Sequence, residues 1–403
     1  MTLPAALVLA LAASPSPSAP GAAPPARELR LGGLLQAWGT LALQDGLRVG
    51  TLDVPPNRYY GLRSEFTEDG LSLRRAEVKL TGHVHPKVDF TLMADLTLGS
   101  GLLQDLVIAV RPTPRLLLRA GQFKSLQTLE GLAGSGDLLF PERGQATRAF
   151  GDVRDRGAAA SWTFGTSDGW LVTPSVAVFN GSGKSNDVNR AKDVAGRVEV
   201  RRGPRHLAGI YGLAGRSDVP SHDRGALTFA GADAPDAADI LRADDRTTNL
   251  GAFYAWQGGA WQGSVEWVRG RLGRRFPTLG LAAGPARREH LEQLYQGAMV
   301  TAAWTRHRLT LAARYDVLDF NLGNRSYDAS DPYPSRDSVP AVDYTPYFEE
   351  ATVGGRLAID EKNPATANLR LAYVHRRGHF LRLADGSRPH GGDSLVAALQ
   401  VAF

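Results

Sequence analysis

The chain has 403 residues, 43% apolar and 22% charged, which excludes wholesale disorder and leaves room for two ordinary domains or one large β architecture. It contains no cysteine, so disulfides, zinc–thiolate sites and thiol nucleophiles are excluded. Lys plus Arg (46) nearly balance Asp plus Glu (41), and a net charge of +5 is too mild to name a partner by itself. The first element is "MTLPAALVLALAAS", an apolar stretch from Leu3 to Ala13 closed by small residues. Residues 1–13 therefore read as a signal peptide, although no Lys or Arg precedes the apolar run. The following residues 14–27, "SPSPSAPGAAPPAR", are too rich in Pro, Ala and Ser for helix or strand and read as a linker.

From Glu28 to Phe403 one unit recurs: roughly ten residues of alternating polarity, then a turn. In "LSLRRAEVKLTGHV", Ala76, Val78, Leu80 and Gly82 share one face, and Arg75, Glu77, Lys79, Thr81 and His83 the other. In "HPKVDFTLMADLTLGS", Val88, Phe90, Leu92 and Ala94 oppose Asp89, Thr91, Met93 and Asp95. Side chains on a strand alternate between faces, so this pair predicts a long hairpin with one apolar and one charged side. The same template fits about sixteen segments, the last being "DSLVAALQVAF". There Leu395, Ala397, Leu399, Val401 and Phe403 share one parity.

Connections alternate in length. Short ones include "HPK", "PTP", "GTSDG", "RGP", "QGG" and "RHR", and long ones include residues 44–70, 126–153, 181–193, 216–244, 270–290, 321–344 and 378–392. Apart from the leader, no stretch of about 20 apolar residues could form a spanning helix, but a spanning strand needs only about 10 residues. Short turns at one end, long loops at the other and one apolar face per strand predict an all-β transmembrane antiparallel barrel over residues 28–403. Unpaired backbone is too costly in hydrocarbon to leave an edge, so the first and last strands must pair. On that reading Phe403 sits at the interface and serves as the assembly signal. The alternative is a secreted β-sandwich for carbohydrate binding or adhesion, with Phe403 on an edge strand.

The stretch 111–157, "RPTPRLLLRAGQFKSLQTLEGLAGSGDLLFPERGQATRAFGDVRDRG", resembles the phosphate-selective porin O and P family. The resemblance is carried by Gly121–Lys124, Leu129–Glu130, Glu142–Arg143 and Arg154–Gly157, and by the later "VAVFNGSGKSNDVN" and "GRVEV". It implies a sixteen-stranded outer-membrane porin, often a homotrimer, with a long loop folded inward as a constriction. That loop would be residues 126–153. The loop lysine of the family's phosphate-binding members would fall near Ala133–Gly136, where this chain has none. The constriction cations would be Lys124, Arg143, Arg148, Arg154 and Arg156. By parity the lumen wall adds Arg75, Lys79, Arg119, Arg197, Arg201, Arg314, Arg356 and Arg370. Arg and Lys rings in a pore favour anions, unless they merely pair with lumen acids such as Glu77, Asp89, Asp95, Glu199, Glu266 and Asp316.

The expected function is passive diffusion of small solutes, with small anions such as phosphate preferred. The expected partners are outer-membrane lipids and lipopolysaccharide, the barrel assembly machinery and other copies of the chain. Neither a cofactor, a metal, a nucleic acid nor a catalytic constellation is called for. His83 and His85 lie at a turn with no acid at ligand spacing. "GSGKSN" at 181–186 lacks the phosphate-loop spacing, and the acidic "DAADILRADD" reads as an exposed loop.

Overall fold

The computed structural model describes residues 28–43, 69–98, 102–166, 169–184, 186–187, 190–216, 246–272, 293–319, 347–378 and 391–403. The expected leader and linker, the "DAADILRADD" segment and most of five long connections lie outside the described residues.

The strands are β1 (Glu28–Ala42), β2 (Gly70–His85), β3 (Val88–Asp95), β4 (Leu103–Thr113), β5 (Leu116–Lys124), β6 (Arg154–Trp162), β7 (Phe164–Gly165), β8 (Trp170–Phe179) and β9 (Asp193–Arg202). They continue as β10 (His206–Arg216), β11 (Arg246–Gly258), β12 (Trp261–Leu272), β13 (Gln293–Arg306), β14 (Leu309–Asp319), β15 (Tyr347–Ala358), β16 (Ala367–Gly378) and β17 (Gly391–Ala402). Each pairs antiparallel with its neighbours in sequence, and β7 continues β6 beyond a break at Thr163, which makes sixteen wall strands. β1 pairs with β17 from Leu34↔Ala402 to Ala42↔Ser394, so the sheet is a closed antiparallel β-barrel. At the seam, Gly33 and Phe403 exchange backbone hydrogen bonds of 2.9 and 3.2 Å. The Phe403 ring lies where a side chain on Gly33 would have to be, so only glycine fits there.

Burial follows the expected parity. On β14, Leu309, Leu311 and Tyr315 are exposed, while Thr310, Ala312, Arg314, Asp316 and Leu318 are buried. The same alternation exposes Leu29, Leu31 and Leu35 on β1, Leu92 on β3, Val353 and Leu357 on β15, and Leu399 and Val401 on β17. Such an apolar belt around the whole ring far exceeds what a protein leaves in water, and it matches the lipid-facing band of a spanning barrel. Toward the short turns the outward face turns aromatic, with Trp162, Phe164, Trp170, Trp256, Trp261 and Phe403 all exposed. Aromatic rings of this kind mark the level where hydrocarbon meets water. The turns themselves are tight, and Gly259 at φ 58 supplies the left-handed residue that joins β11 to β12.

Register shifts interrupt several strand pairs, and the one on β2 changes which side chains reach the lumen. The β1–β2 register shifts at Gln36/Ala37, leaving Arg74 as an extra residue opposite the shift. A bulge of this kind breaks the two-residue period. As a result both Arg74 and Arg75 reach the lumen, where strict alternation would send Arg74 into lipid.

Candidate functional site

Between β5 and β6, residues 125–153 form a loop with structure of its own. A short helix (Leu129–Leu132) is capped by Thr128, whose hydroxyl accepts the Gly131 N–H at 3.1 Å. A 3₁₀ turn (Ser135–Asp137) and a π-helical turn (Thr147–Gly151) follow. The loop touches opposite sides of the ring. On one side the Leu129 N–H donates to the Glu266 carboxylate of β12 at 2.6 Å, and the Asn249 amide of β11 donates to Gln127. On the other side, Arg74 and Arg75 of β2 reach Glu142 at 2.6 and 3.3 Å, and Gln36 of β1 donates to the Ser135 carbonyl at 3.4 Å. Only a segment inside the barrel can contact strands about half a ring apart. The loop therefore crosses the lumen.

Its anchors on β14–β17 are dense. The Gln145 N–H donates to Asp316 at 3.2 Å, and Arg148 pairs with Glu350 at 3.1 Å. Arg314 donates to the Glu142 carbonyl at 2.8 Å and pairs with Glu350, Asp316 and Glu130 at 3.1, 3.3 and 3.4 Å. Arg370 donates to the carbonyls of Gly136 (2.7 Å) and Phe140 (3.3 Å) and to Gln400 (2.8 Å). Phe140 packs on Ala303, Ala312 and Ala372, and Phe150 stacks on Tyr295 at 3.6 Å between centroids.

Two loop carboxylates are held ionised. Burial alone would push Glu142 up, but Arg75, Arg74 and Arg143 outweigh it and hold the group well below the usual carboxylate range. Burial likewise opposes Asp152, yet Arg143, Lys124 and Arg154 bring it down to about 2. Asp137 goes the other way: burial raises it, against the pull of Arg370, Arg356, Lys79 and Lys124.

The five cations expected at the constriction all have partners. Lys124 lies 3.1 Å from Asp152 and donates to the carbonyls of Gly131 and Ala133 at 2.6 and 2.9 Å. The ammonium thus reaches the Ala133–Gly136 stretch from the wall. Arg143 pairs with the other Asp152 oxygen at 3.1 Å and is 2% exposed. Arg148 holds Glu350, and Arg154 holds Asp105 at 2.8 Å. Arg156 donates to Gln122, Asn186 and the Lys184 carbonyl, which brings Lys184 and Asn186 against the wall.

The wall set divides. Arg75, Arg314 and Arg370 brace the loop. Arg197 pairs with Glu199 at 2.8 Å and lies over the Phe253 ring, and Arg119 lies over Phe123. Lys79 is exposed and Arg201 half-buried. Arg356 stands apart: it is 1% exposed, and none of its three guanidinium nitrogens has a hydrogen-bond partner among the described residues. Its register partner on β16 is another cation, Arg370. The strand pattern also carries Glu350, in parity with Arg356, and Arg376, in parity with Arg370; parity alone finds both. Gln36 and Gln400, joined at 2.7 Å across the seam, carry no charge signal and escape a search for cations. Of the turn histidines, His83 contacts Asp89, which also holds Arg111, and His85 accepts the Lys87 N–H at 3.2 Å.

A family model, phosphate-selective porin O and P, matches residues 48–310. Nothing matches among curated proteins. Among solved structures, the outer membrane channel DcaP of Acinetobacter baumannii superposes with a TM-score of 0.55 at 12% identity, over 94% of this chain and 97% of that one. OmpT of Vibrio cholerae, in vitro folded and in its trimer form, gives 0.53 at 10%, over 94% and 100%. The anion-selective porin of Comamonas acidovorans gives 0.52 at 11%, over 94% and 100%. At such identities these likenesses establish the barrel fold.

Proposed function

Since this chain belongs to the phosphate-selective porin O and P family and is an outer-membrane passive channel, we propose that it prefers small anions, phosphate-like ones included. The observation that carries this reading is Arg356. Its guanidinium faces the lumen side of the sheet with no acceptor among the described residues and with Arg370 directly opposite. Two adjacent cations that share a single nearby carboxylate, Asp137, itself pushed up by burial, keep an excess of positive charge that attracts anions, and the planar fork of Arg suits oxyanions. Lys79 and Arg201 add positive charge on the wall the loop leaves uncovered. The anion selectivity of the Comamonas acidovorans porin agrees with this reading. Lys124, Arg143, Arg148 and Arg154 fit a different role, holding the constriction in shape.

Three further features belong to the same reading. Residues 1–13 act as the export leader. Phe403, at the sealed seam, is the signal read by the barrel assembly machinery. The working unit is a homotrimer, as in the trimer form of OmpT.

The test is a zero-current potential across a planar bilayer in a potassium chloride gradient. The native channel should sit on the anion side, and Arg356→Gln should move it toward the cation side without a large change in conductance. A native channel that prefers potassium would overturn the proposal, as would an Arg356→Gln channel with the native potential.

A further inference from the structure

One charge of the crossing loop takes no part in holding it. Glu130, Glu142, Arg143, Arg148 and Asp152 all enter ion pairs. Asp137 does not: among the described residues its carboxylate has neither an ion-pair partner nor a hydrogen-bond donor. It is also the one exposed charged side chain among the described residues of 125–153.

Its backbone is nevertheless fixed. Asp137 closes the 3₁₀ turn, its N–H donating to the Gly134 carbonyl at 3.0 Å. The carbonyls before it are gripped from the wall: Ala133 by Lys124 at 2.9 Å, Ser135 by Gln36 at 3.4 Å and Gly136 by Arg370 at 2.7 Å. Leu138, just after it, is buried. The chain is therefore pinned on both sides of a carboxylate that itself stands in the narrow water path of the lumen.

Four cations surround that carboxylate: Arg370 of β16, Arg356 of β15, Lys79 of β2 and Lys124 of β5. β15 and β16 lie on one side of the β1–β17 seam, and β2 and β5 on the other. Arg370 and Lys124 are engaged with carbonyls of the loop. Arg356 has no partner on any guanidinium nitrogen among the described residues, and Lys79 is exposed. One fixed negative charge thus stands among four positive ones.

A permeating anion feels both signs. Its attraction to the cations and its repulsion by Asp137 each scale with its own charge. Without the acid, the four cations would hold a divalent anion far more firmly than a monovalent one. A firmly held ion blocks a pore, since conduction needs a site that the ion can leave. The acid weakens that trap, and weakens it most for the more highly charged ion.

We propose that Asp137 is a tethered counter-ion that keeps the constriction open to small monovalent anions, the singly charged form of phosphate included, by preventing divalent anions from lodging among Arg356, Arg370, Lys79 and Lys124. This inference rests on the anion preference argued above. Removing a unit charge about 6 Å from the ion, at the dielectric constant of water, strengthens binding about threefold for a monovalent anion and about tenfold for a divalent one.

The experiment is block of the chloride current through single channels at neutral pH and constant ionic strength, with potassium sulfate and potassium acetate as competitors. In Asp137→Asn the half-blocking concentration of sulfate should fall about tenfold and that of acetate about threefold. Asp137→Glu keeps the charge and should keep both native values. Because Asp137 is exposed and braces nothing, both variants should show native heat-modifiable migration in SDS. Native sulfate block in Asp137→Asn overturns the proposal. So does an equal change for sulfate and acetate, which would mean that Asp137 acts through shape and not through charge. Either result leaves the native zero-current potential on the anion side. A native potential on the cation side overturns the anion preference and this inference together.

Discussion

On the side of the lumen built from β14–β17 and β1, the inward side chains lie under the crossing loop. Asp316, Glu350, Arg370, Arg376 and Gln400 are all at or below 1% exposure. On the side built from the short-turn half of β2 and from β3–β9, Lys79, Thr91, Arg111, Ser161, Ser175, Glu199 and Arg201 keep part of their surface. Both walls use lumen-facing arginines, yet the loop makes them different objects. Under it, Arg314 serves three carboxylates and a carbonyl. Opposite it, Arg201 has no ion-pair partner within reach among the described residues. A cation in a porin wall is thus a brace or a field source according to what covers it, and residue type alone does not tell which.

The strongest way to break this contrast is to remove a brace. Glu350 touches Arg148 on the loop and Arg314 and Arg376 on the wall. Glu350→Gln leaves the buried Arg314 and Arg376 and the half-buried Arg148 short of charge, and breaking such a buried pair costs about 3–5 kcal/mol. We expect a markedly lower unfolding temperature in detergent and a higher, noisier single-channel conductance as the loop loosens. Native conductance in a stably folded Glu350→Gln channel would mean that the loop is held by its apolar contacts alone.

A smaller effect separates the walls by what they tolerate. Leu92→Arg on β3 puts a cation on the lipid face, at about 2–4 kcal/mol near the bilayer midplane. Thr91→Arg, one residue away, points into the uncovered part of the lumen and should fold normally. The same change at Thr352, 1% exposed under the loop, should not. Folding yields, read by heat-modifiable migration in SDS, should rank Thr91→Arg above both others. Equal yields for Thr91→Arg and Thr352→Arg would erase the distinction between the walls.

The alternation that identifies lipid and lumen faces was legible in the sequence because a strand repeats every two residues, and β14 follows it almost without fault. Arg74 was not legible as a lumen residue, because a bulge leaves no mark in polarity. The length of the connection between β5 and β6 marked it as more than a plain turn. Its braces were not legible, since Arg370 and Gly136 are 234 residues apart in sequence and Arg314 and the Glu142 carbonyl 172. Nothing local chooses such partners. Parity brought Arg356 and Arg370 to the right face, but only packing shows that one is satisfied and the other is not.

Acid should loosen the brace only at an extreme. Asp152 holds Lys124, Arg143 and Arg154 with a folded-state value of about 2, against an ordinary 3.8. A carboxylate depressed on folding contributes stability above its unfolded value, and that contribution is lost as pH falls through the folded one. Conductance should therefore hold from neutral pH down to about 4 and change between about 4 and about 2. A step near pH 6 would show that the loop hangs on some other group.

The mildest change tests the uncovered wall directly. Lys79 is exposed and Arg201 half-buried, and neither takes part in the braces. Replacing both with Gln removes two charges from the water path and no contact from the loop. Exposed charges away from packed features usually alter stability by no more than about 0.5 kcal/mol. Water screens them as well, so each contributes less field than a cation in a narrow, drier place. The double variant should keep its unfolding temperature and conductance, and its zero-current potential should move slightly toward the cation side, more at low salt than at high. If the potential moves as far as in Arg356→Gln, the uncovered wall governs selectivity and the adjacent pair Arg356 and Arg370 does not. If it fails to move at low salt, the permeating ions do not pass along this wall, and the passage lies against the loop itself.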